Sequence, residues 1–411
     1  MEILVLNCGS SSVKFALWSA EPLRRLRWGI VERIGLANSR LLVNDAGGEG
    51  SNEAVDCSDH RRAVELVLAG IAGRRNHDAG AIAAVGHRVV HGGERFARSA
   101  RIDEQLLREV ERCSELAPLH NPPNLAGIRA ARELLPRAVQ VAVFDTAFHQ
   151  SMPPEAYRYP LPAGWYEKYA IRRYGFHGTS HLYVAHRAAA LLDRPLEQLR
   201  LVTLHIGNGA SAAAVAGGKS IDTSMGFTPL EGLVMGTRCG WIDAAVPLWV
   251  MRKEGLDAAR LDTILNRESG LLGLTGRFSD RREIVQAAAA GDERCQLALA
   301  VECRSLRKVI GAYAALMGGL DAVIFTAGVG ENSPEIRAGA LRQLDFLGIR
   351  LDGERNRQAV GGAHELCISS PGSRVQVWVV PTDEERVIAE DTLAQVTGRF
   401  DRAGFRYSFS R

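Results

Sequence analysis

The residues near the start of the chain that are best suited to chemistry lie in the segment N7-C-G-S-S-S-V-K14. Three consecutive hydroxyl groups, a glycine and a lysine form a group of donors that suits a phosphate. An ordinary polar turn is the alternative, because apolar residues that predict antiparallel strands stand on both sides. This segment alone leaves both interpretations open.

Two later segments are rich in glycine and could bind a nucleotide. A213-A-V-A-G-G-K-S220 ends like a phosphate-binding P-loop, but Ala213 stands where that motif requires glycine, so we predict a hairpin turn. F325-T-A-G-V-G-E-N-S333 follows a predicted strand and precedes a helix that Pro334 begins. Backbone N–H groups at such a position can bind an anion, and a tight turn is the alternative.

Two histidines lie four residues apart in H177-G-T-S-H181, a spacing that on a helix would place both on one face. A zinc protease site requires glutamate directly after the first histidine, and Gly178 stands there, so zinc is not predicted. Packing and capping are one interpretation of the pair. The other is an active-site role, because the stretch leads into a predicted helix.

Two arginines lie in turns flanked by glycine, Arg88 in G86-H-R-V-V-H-G-G-E94 and Arg238 in M235-G-T-R-C-G240. A planar guanidinium pairs through two hydrogen bonds with a carboxylate or a phosphate, and a turn can direct it into a cleft. A surface arginine without a functional role is the alternative for each of them.

The elements that must position these residues alternate between strands and helices, which predicts an α/β fold with a largely parallel sheet. Strands are predicted at residues 3–6, 13–18, 81–90, 139–144, 201–206, 211–215 and 322–326, and helices at 61–72, 103–116, 125–135 and 383–395, the last amphipathic. Pro118, Pro122 and Pro123 are predicted to interrupt the helical pattern. The strand, glycine turn and strand of residues 201–215 repeat those of residues 4–17, which indicates two similar domains whose phosphate-binding turns face a common cleft.

The composition is that of an ordinary globular protein with two or three domains, since 46% of the 411 residues are hydrophobic and 24% are charged. The formal net charge is +3, and like charges do not cluster, so neither nucleic acid nor membrane is predicted as a partner. We expect a cytoplasmic protein, because no segment resembles a signal peptide or reaches the roughly 18 apolar residues of a spanning helix. The seven cysteines form no C-x-x-C pair, so we expect free thiols.

Taken together, these segments resemble the acetate and propionate kinase family, within the actin-like ATPase superfamily. The similarity follows the family's order from residue 3 to about residue 395. Besides the segments above other than residues 213–220, it rests on V143-F-D-T-A-F-H-Q150, R173-Y-G-F-H-G-T-S-H181, H205-I-G-N-G-A-S211, D222-T-S-M-G-F-T-P-L-E-G232 and P381-T-D-E-E385.

The resemblance implies two duplicated actin-like (ribonuclease H-like) domains with a nucleotide cleft between them. Domain I would comprise residues 1–149 and 383–411, and domain II residues 150–382. The implied reaction is reversible, magnesium-dependent phosphoryl transfer from ATP to acetate, giving acetyl phosphate and ADP by direct in-line transfer. Propionate or another short carboxylate is the alternative substrate, manganese is the alternative metal, and a homodimer is the implied assembly.

The family's roles transfer onto individual positions of this sequence. The residues that match the catalytic group are Arg88, Asp145, His177 and Arg238. Arg88 also matches the arginine that contacts the carboxylate substrate. The apolar residues that match the acyl pocket are Val90, Leu119, Phe176 and Pro229. The nucleotide positions are Ser10, Ser12 and Lys14 in the first phosphate loop, His205, Ile206, Gly207, Asn208 and Gly209 in the second, and Asp280, Arg281, Arg282, Gly328, Val329, Gly330, Glu331 and Asn332 on the adenosine side. The positions that match metal-linked residues are Asn7 and Glu384.

The chain departs from the family's usual pattern at a few places. C239-G-W-I-D-A244 replaces a usual Ser-Gly-Asp-Ile-Asp-Pro, and Asp383 replaces an asparagine next to the metal-linked glutamate. Ala327 replaces a glycine, and Arg281 occupies a usually apolar position. Every catalytic group is retained, so these departures bear on substrate preference, metal affinity and turnover.

Two classes of protein compete with this interpretation. A filament-forming or chaperone-like ATPase would not need two arginines directed at one small pocket, and a sugar kinase would need polar residues where four apolar ones stand. A carboxylate substrate is already ionised near neutral pH, with a pKa of about 4 to 4.5, so no proton has to be removed. Asp145 is therefore expected to orient the metal and the arginines rather than to act as a general base.

Overall fold

The computed structural model describes residues 1–73, 81–362, 364–400 and 405–410 of the chain. Its strands, numbered along the chain, are β1 Glu2–Cys8, β2 Ser12–Ala20, β3 Leu23–Glu32, β4 Ser39–Asp45, β5 Gly50–Val55, β6 Ile82–Val89, β7 Ala100–Arg101, β8 Val139–Phe144, β9 Arg200–Ile206, β10 Ala210–Ala216, β11 Lys219–Thr223, β12 Ala322–Thr326, β13 Leu366–Cys367 and β14 Gln376–Val379. Its α-helices are α1 His60–Ala72, α2 Glu104–Arg112, α3 Asn121–Leu134, α4 Pro154–Tyr157, α5 Ala163–Tyr169, α6 Gly178–Leu191, α7 Ala245–Glu254, α8 Ala258–Arg267, α9 Gly270–Thr275, α10 Arg281–Ala289, α11 Glu293–Leu316, α12 Ala327–Asn332, α13 Pro334–Leu341, α14 Gly353–Gln358 and α15 Glu384–Thr397.

The chain divides into two compact units. Unit 1 comprises Met1–Gln150 and Asp383–Ser408, and unit 2 comprises Ser151–Thr382 together with Phe409 and Ser410. The sequence placed these last two residues in domain I. In the structure Phe409 packs against Tyr183, and the Ser410 hydroxyl bonds to His186 at 2.9 Å, so both belong with unit 2.

Unit 1 is built on a sheet with the strand order β5-β4-β3-β2-β1-β6-β8-β7. β1 pairs antiparallel with β2 and parallel with β6, and β6 pairs parallel with β8. Because the side chains of β1 alternate, Leu4 and Leu6 pack with α1 and α3 on one face, while Ile3 and Val5 pack with α15 on the other. The carboxyl ends of β1, β6 and β8 meet at one edge of the sheet, and that edge holds three of the predicted site residues.

Helix α15 is buried along much of its length and is not the amphipathic helix that the sequence predicted. Its close packing on β6 depends on Gly86, where a Cβ atom would collide with Thr392 and Ile388. Asp391, on the same helix, is also buried, and its carboxylate accepts hydrogen bonds from Ser99 Oγ at 2.5 Å and from the Tyr407 hydroxyl at 2.8 Å. Burial raises the pKa of Asp391 to about 6, although the two hydrogen bonds oppose the rise.

The wild-type protein should become less stable as the pH rises from about 4 to about 6, and Asp391→Asn should remove that loss of stability. In that range the folded protein holds a proton on Asp391, whereas the unfolded chain, with an aspartate pKa of about 3.9, does not. The free energy of unfolding therefore falls as pH rises, and asparagine, which keeps a donor and an acceptor, avoids the fall. One pKa unit is worth about 1.4 kcal/mol, but both ends of this range lie close to one of the two pKa values, so part of the full difference falls outside it. Urea unfolding should show the variant gaining roughly 2 kcal/mol relative to wild type between pH 4 and pH 6. A difference that does not change with pH would contradict this assignment.

Unit 2 repeats the plan of unit 1 in a sheet with the order β11-β10-β9-β12-β14-β13. β9 pairs antiparallel with β10 and parallel with β12, and β12 pairs parallel with β14. The succession β11-β10-β9-β12-β14 thus has the same strand directions as β3-β2-β1-β6-β8 of unit 1. This topology confirms the predicted α/β fold with an internal duplication. The prediction of a largely parallel sheet was wrong, because both sheets are mixed and, among the described strands, only the central pairs β1–β6, β6–β8, β9–β12 and β12–β14 are parallel, while the hairpin strands around them are antiparallel.

Several predicted boundaries differ from the structure for local reasons. Pro122 and Pro123 lie in the first turn of α3 instead of interrupting a helix, because N–H groups there have no intrahelical partner to lose. Residues 327–332 form the short helix α12 where a glycine turn was an alternative. The predicted turn at residues 7–12 is shorter than expected, since β1 continues to Cys8 and β2 begins at Ser12.

Two further observations concern the chain as a whole. All seven cysteines are free thiols. Among the residues that the structure describes, no helix is both long enough and apolar enough to cross a membrane. Part of the C-terminal tail, residues 401–404, lies outside the described residues.

Candidate active site

The predicted residues of unit 1 gather around Arg88. Its Nε donates to Asp145 Oδ1 at 2.9 Å and its Nη2 to Asp145 Oδ2 at 2.6 Å, so the two side chains form a bidentate ion pair. Its Nη1 donates to Asn7 Oδ1 at 3.4 Å, and a Glu384 carboxylate oxygen lies 3.9 Å from its Nε. Residues from β1, β6, the end of β8 and the start of α15 therefore form one network.

The charges in this network do not balance, because one guanidinium faces two carboxylates. Asp145 is only 1% exposed, and burial raises the pKa of its carboxyl group, a rise that the Arg88 ion pair limits. Burial lowers the pKa of Arg88, but attraction from Asp145 and Glu384 outweighs burial, so the net shift is upward. The network is formally negative and attracts a cation.

The donors of this network fit a magnesium ion. Asn7 and Glu384 present an amide oxygen and a carboxylate beside Arg88, and hard divalent cations prefer oxygen ligands. Magnesium commonly binds through one or two carboxylates while it keeps several waters, so a small donor set is sufficient. Asn7 and Glu384 are the predicted metal-linked residues, and both lie beside the same guanidinium.

Asp383, which replaces the family's usual asparagine, caps α15. Its carboxylate accepts a hydrogen bond from the Arg386 N–H at 3.0 Å. Aspartate and asparagine are comparable caps, so the replacement preserves the start of the helix and with it the position of Glu384. Burial raises the pKa of Asp383.

The first phosphate loop lies next to this network. The Gly9 N–H donates to the Ser12 carbonyl at 2.8 Å and closes the turn, while Ser10 is exposed. Lys14 is exposed on β2 and pairs across the hairpin with Asn7. The strand register therefore places the lysine of the loop beside a residue that contacts Arg88.

The predicted residues of unit 2 meet at the second phosphate loop. His177 precedes α6 with a left-handed φ of 56°, its Nδ1 bonds to Ser211 Oγ at 2.8 Å, and its ring stacks on His205 with centroids 4.0 Å apart. A Cβ atom on Gly209 would lie 3.4 Å from Arg238 Nη1 and 3.7 Å from His177 Cε1. The loop, the histidine and the arginine therefore border the same small space.

Arg238 has no carboxylate partner within ion-pair distance in the described part of the chain. Its Nη1 donates to the Pro229 carbonyl at 3.3 Å, and burial lowers the pKa of the guanidinium. Arginine stays protonated in proteins, so this side chain is a partly buried cation whose desolvation is not offset by an anion. A phosphate at the second loop would supply that anion.

Some supporting residues could not be identified from the sequence. Ser211 bonds to His177 and, at 2.8 Å, to His181 Nε2, so the two histidines share one hydroxyl. His205 Nδ1 bonds to Ser180 Oγ at 2.8 Å. The only signal for Ser211 is a hydroxyl within the buried, alanine-rich strand β10, and the only signal for Ser180 is its place between the two histidines.

The two histidines do not share a helix face, because His177 caps α6 and only His181 lies within it.

Glu231 holds the chain on both sides of Arg238, between residues 223 and 241. The Glu231 carboxylate accepts hydrogen bonds from Arg173 Nη2 at 2.8 Å, from Trp241 Nε1 at 3.3 Å and from the Tyr159 hydroxyl. Arg173 Nη1 also donates to the main-chain carbonyls of Thr223, Ser224 and Met225. Through Arg173 and Trp241, Glu231 therefore ties the chain before Arg238 to the chain just after it. We infer that it positions Arg238 indirectly.

Glu231→Gln should lower kcat about tenfold and change KM for ATP little. The segment that holds Arg238 would loosen, and small displacements of a positioned group reduce turnover strongly. Glu365→Gln is the matched control, because the Arg187–Glu365 pair has side chains 17% and 24% exposed against 17% and 27% for Arg173–Glu231. Steady-state kinetics and thermal melts should show similar losses of stability but a loss of kcat only in Glu231→Gln. Equal losses of kcat in both variants would contradict the positioning role.

An open cavity of about 870 Å³ in unit 2 collects most of the predicted adenosine-side residues. Its predicted lining residues are Asn208, Asp280, Arg281, Arg282, Gly328, Val329 and Asn332. Its volume is typical of a small-molecule site. Asn208 belongs to the second phosphate loop, so the cavity and the loop are continuous.

Three predicted nucleotide residues have other roles in the structure. The Gly330 carbonyl accepts a hydrogen bond from Arg337, and the Glu331 carboxylate accepts one from the Thr382 N–H at 3.2 Å. Arg281 lines the cavity, but its guanidinium donates to Glu302 at 2.8 Å in a pair that is almost fully buried. Arg281, at a position that is usually apolar in the family, therefore pairs with a buried carboxylate of unit 2.

The four apolar residues predicted for the acyl pocket divide between the units. Val90 and Leu119 belong to unit 1, and Phe176 and Pro229 to unit 2. Val90 is buried and its N–H donates to Asn124 Oδ1 at 3.0 Å, whereas Leu119 is 46% exposed. Pro229 contacts Arg238 through its carbonyl. Their contact with a substrate stays a prediction.

Comparison with known proteins gives a consistent result. The sequence model of the Acetokinase family matches residues 2–390. The acetate kinase of Geobacter sulfurreducens is 51% identical and the alignment covers 100% of this chain and 99% of that protein, and the acetate kinase of Thermotoga maritima is 53% identical with 95% and 98% covered. The crystal structure of Porphyromonas gingivalis acetate kinase has a TM-score of 0.90 and 46% identity, with 96% of this chain and 99% of that one covered. A propionate kinase from Francisella tularensis has a TM-score of 0.89 and 40% identity, with 95% and 98% covered.

Proposed function

The chain belongs to the acetokinase family and is an acetate kinase, and we propose that it transfers the phosphoryl group directly and in line between ATP and acetate. Acetyl phosphate and ADP are the products, and the reaction is reversible. The observation that supports this proposal most strongly is Arg238, a partly buried cation without a carboxylate partner in the described chain, next to His177 and Gly209.

Phosphoryl transfer suits such a site, because its transition state spreads negative charge over three equatorial oxygens. Catalysis then depends on positioned cations and donors more than on covalent chemistry. We assign Arg238 and His177 to the transferring group and the cavity near Asp280 to the adenosine. Ser211, through its bond to His177, fixes the orientation of that ring.

We assign Arg88 to the carboxylate of acetate. Its Nη1 makes only the long contact of 3.4 Å to Asn7, so this nitrogen has donor capacity left for a substrate oxygen. When bound at Asn7 and Glu384, magnesium, or manganese as the alternative, would neutralise phosphate charge. Asp145 holds the guanidinium in place, and acetate needs no base because it is already ionised.

The proposal is tested by an assay for acyl phosphate with ATP and, in turn, acetate, propionate, butyrate and glycerol. Acetate should give the highest kcat/KM, and propionate should be lower by about 10-fold or more, since one methylene usually changes kcat/KM by 10 to 200-fold. Butyrate should be lower still and glycerol inactive. Phosphorylation of glycerol would overturn the proposal. Higher kcat/KM for propionate would select the alternative, a propionate kinase, which the similarity to the Francisella tularensis enzyme supports.

We propose that the protein forms a homodimer. Five large apolar side chains between residues 241 and 249 are 43% to 59% exposed, namely Trp241, Ile242, Val246, Leu248 and Trp249. Monomeric proteins rarely expose large apolar patches, and such patches commonly mark protein interfaces. Light scattering on the purified protein should give twice the chain mass of 44.6 kDa. A mass of one chain at micromolar concentration would contradict the proposal.

We also propose a cytoplasmic location. All seven cysteines are free thiols, including Cys8, Cys57 and Cys295, which are buried. Free thiols are the usual state of cysteine in a reducing compartment. Fractionation of the cells that make the protein would test this, and recovery outside the cytoplasm would contradict it.

A further inference from the structure

Unit 2 has a second open cavity, of about 670 Å³, that the proposed reaction does not use. It lies at the amino-terminal ends of β9 and β12. β9 begins on this cavity at Arg200 and ends at Ile206 in the second phosphate loop, and β12 follows Asp321 and leads to α12. The cavity is therefore at the opposite end of these strands from the nucleotide residues, and its volume is in the range of small-molecule sites.

The cavity is lined by three arginines and one carboxylate. Asp321 accepts a hydrogen bond from Arg194 Nη1 at 2.7 Å and another from the Arg200 main-chain N–H at 2.8 Å. The side chains of Arg200 and Arg374 have no carboxylate within ion-pair distance among the residues that the structure places. Asp321 is the one acidic residue among the described residues that line the cavity, and it is paired with Arg194, so the guanidiniums of Arg200 and Arg374 remain available for an anion.

Both of these arginines are exposed, but each is hydrogen-bonded to a main-chain carbonyl of a neighbouring loop. Arg200 Nη1 donates to the Gly318 carbonyl at 2.9 Å, and Arg374 Nη2 donates to the Leu347 carbonyl at 3.1 Å. A Cβ atom on Gly319 would lie 2.6 Å from Arg200 Nη1, and one on Gly348 would lie 2.8 Å from Arg374 Nε. The two glycines, with φ of 148° and 89°, therefore allow the guanidiniums to lie close to the loops. Each guanidinium has five N–H donors and uses one of them here.

A role in helix capping explains only part of this arrangement. Helix α11 ends at Leu316, and Arg200 places a positive charge and a donor at that end, which favours the helix dipole. Arg374 contacts a different loop, at Leu347, and makes no such cap. Next to it, Phe346 lines the same cavity and is 75% exposed, an unusual position for a large apolar side chain.

We propose that this cavity binds a small molecule that carries at least two phosphate or carboxylate groups. A guanidinium pairs with either group through two parallel hydrogen bonds, so Arg200 and Arg374 would each bind one of them. Phe346 would cover the apolar part of the molecule. Because the site lies at the other end of the strands, it does not depend on the proposed reaction.

The test is calorimetric titration of the full chain with inorganic pyrophosphate and, separately, with citrate. The protein is first saturated with ADP, so that the nucleotide site is occupied. The double variant Arg200→Gln and Arg374→Gln should weaken binding of the preferred anion about tenfold or more, the scale of losing a charge-assisted hydrogen bond. Arg304→Gln, at an exposed position of α11 outside the cavity, is the matched control and should bind like wild type.

Each outcome decides the proposal. Preference for pyrophosphate would identify phosphate groups as the ligand, and preference for citrate would identify carboxylates. Absence of saturable binding at millimolar concentration, or equal binding by wild type and double variant, would overturn the proposal. A lower melting temperature with unchanged binding would leave capping as the role of these arginines and would also overturn it.

If the double variant does not fold, Arg374→Gln alone, which leaves the end of α11 intact, is judged by the same criteria. In this variant kcat with ATP and acetate should be unchanged.

Discussion

Arg238→Ala should lower kcat for phosphoryl transfer from ATP to acetate by about 100-fold or more. Loss of one preorganised donor that stabilises transition-state charge commonly costs 10² to 10³ in kcat. Arg238 meets that description, because it is partly buried, borders Gly209 and His177, and has no carboxylate partner in the described chain. KM for ATP should change much less, since the interaction strengthens as charge develops on the transferring group.

The same variant makes an unusual prediction for stability. The desolvation of Arg238 is not offset by an anion in the free protein, so removing its charge should leave the melting temperature unchanged or raise it. Arg238→Lys keeps the charge but loses the planar fork, and should recover less than about a tenth of the lost activity. Arg304→Ala on α11 is the control for loss of an exposed arginine and should behave like wild type. Near-normal kcat in folded Arg238→Ala would contradict the role assigned to the guanidinium.

The sequence predicted the fold best where burial alone decides the structure. β8 and β12 begin and end at the predicted residues, 139–144 and 322–326, because a short, mostly apolar run in the middle of a sheet has few other solutions. Helix ends were predicted less well, since capping and tertiary packing move them. α3 begins four residues before the predicted start at Leu125, and α15 continues two residues past the predicted end at Gln395.

Some residues of the candidate site could be predicted from the sequence and others could not. The positions of Arg88, His177 and Arg238 follow from short motifs, and the structure places each of them beside other predicted residues of its own unit. The residues that hold them in place could not be predicted. Glu231 meets Arg173 across 58 positions and Glu302 meets Arg281 across 21, and no local pattern reports contacts between segments that far apart.

The second large effect concerns Arg88 and Asp145, which we expect to act as one unit. Asp145→Asn should lower kcat about 100-fold or more, because an amide can accept from Arg88 through one oxygen only and presents N–H groups to a guanidinium that has no acceptor. Arg88→Ala should cost a similar factor, since it removes the group assigned to acetate. Glu104→Gln, which removes the surface partner of Arg132 at 2.7 Å in the same unit, is the control and should leave kcat unchanged.

A double-mutant cycle separates positioning from independent roles. If Asp145 acts only by holding Arg88, the double variant Arg88→Ala and Asp145→Asn should have a kcat no lower than that of the worse single variant. Stability should follow the same logic, because removing one partner of a buried pair costs several kcal/mol, about 3 to 5, so the double variant should lose less stability than the sum of the two single losses. Losses of kcat that multiply in the double variant would show that Asp145 has a role of its own.

The pH dependence of the Asp145→Asn defect tests whether Asp145 is a general base that titrates near neutral pH. A base must be ionised to accept a proton, so the activity that depends on it would rise about tenfold per pH unit below its pKa and level off above. Acetate carries no proton to remove near neutrality, because carboxyl groups of its kind have a pKa of about 4 to 4.5. Both oxygens of Asp145 are also occupied by Arg88, at 2.9 Å and 2.6 Å, which leaves little capacity to receive a proton from a substrate.

We therefore expect the ratio of wild-type to variant kcat to stay constant between pH 6 and pH 8, measured with ATP and acetate at saturation. A ratio that grows with pH by a factor approaching ten per unit would establish Asp145 as the base instead.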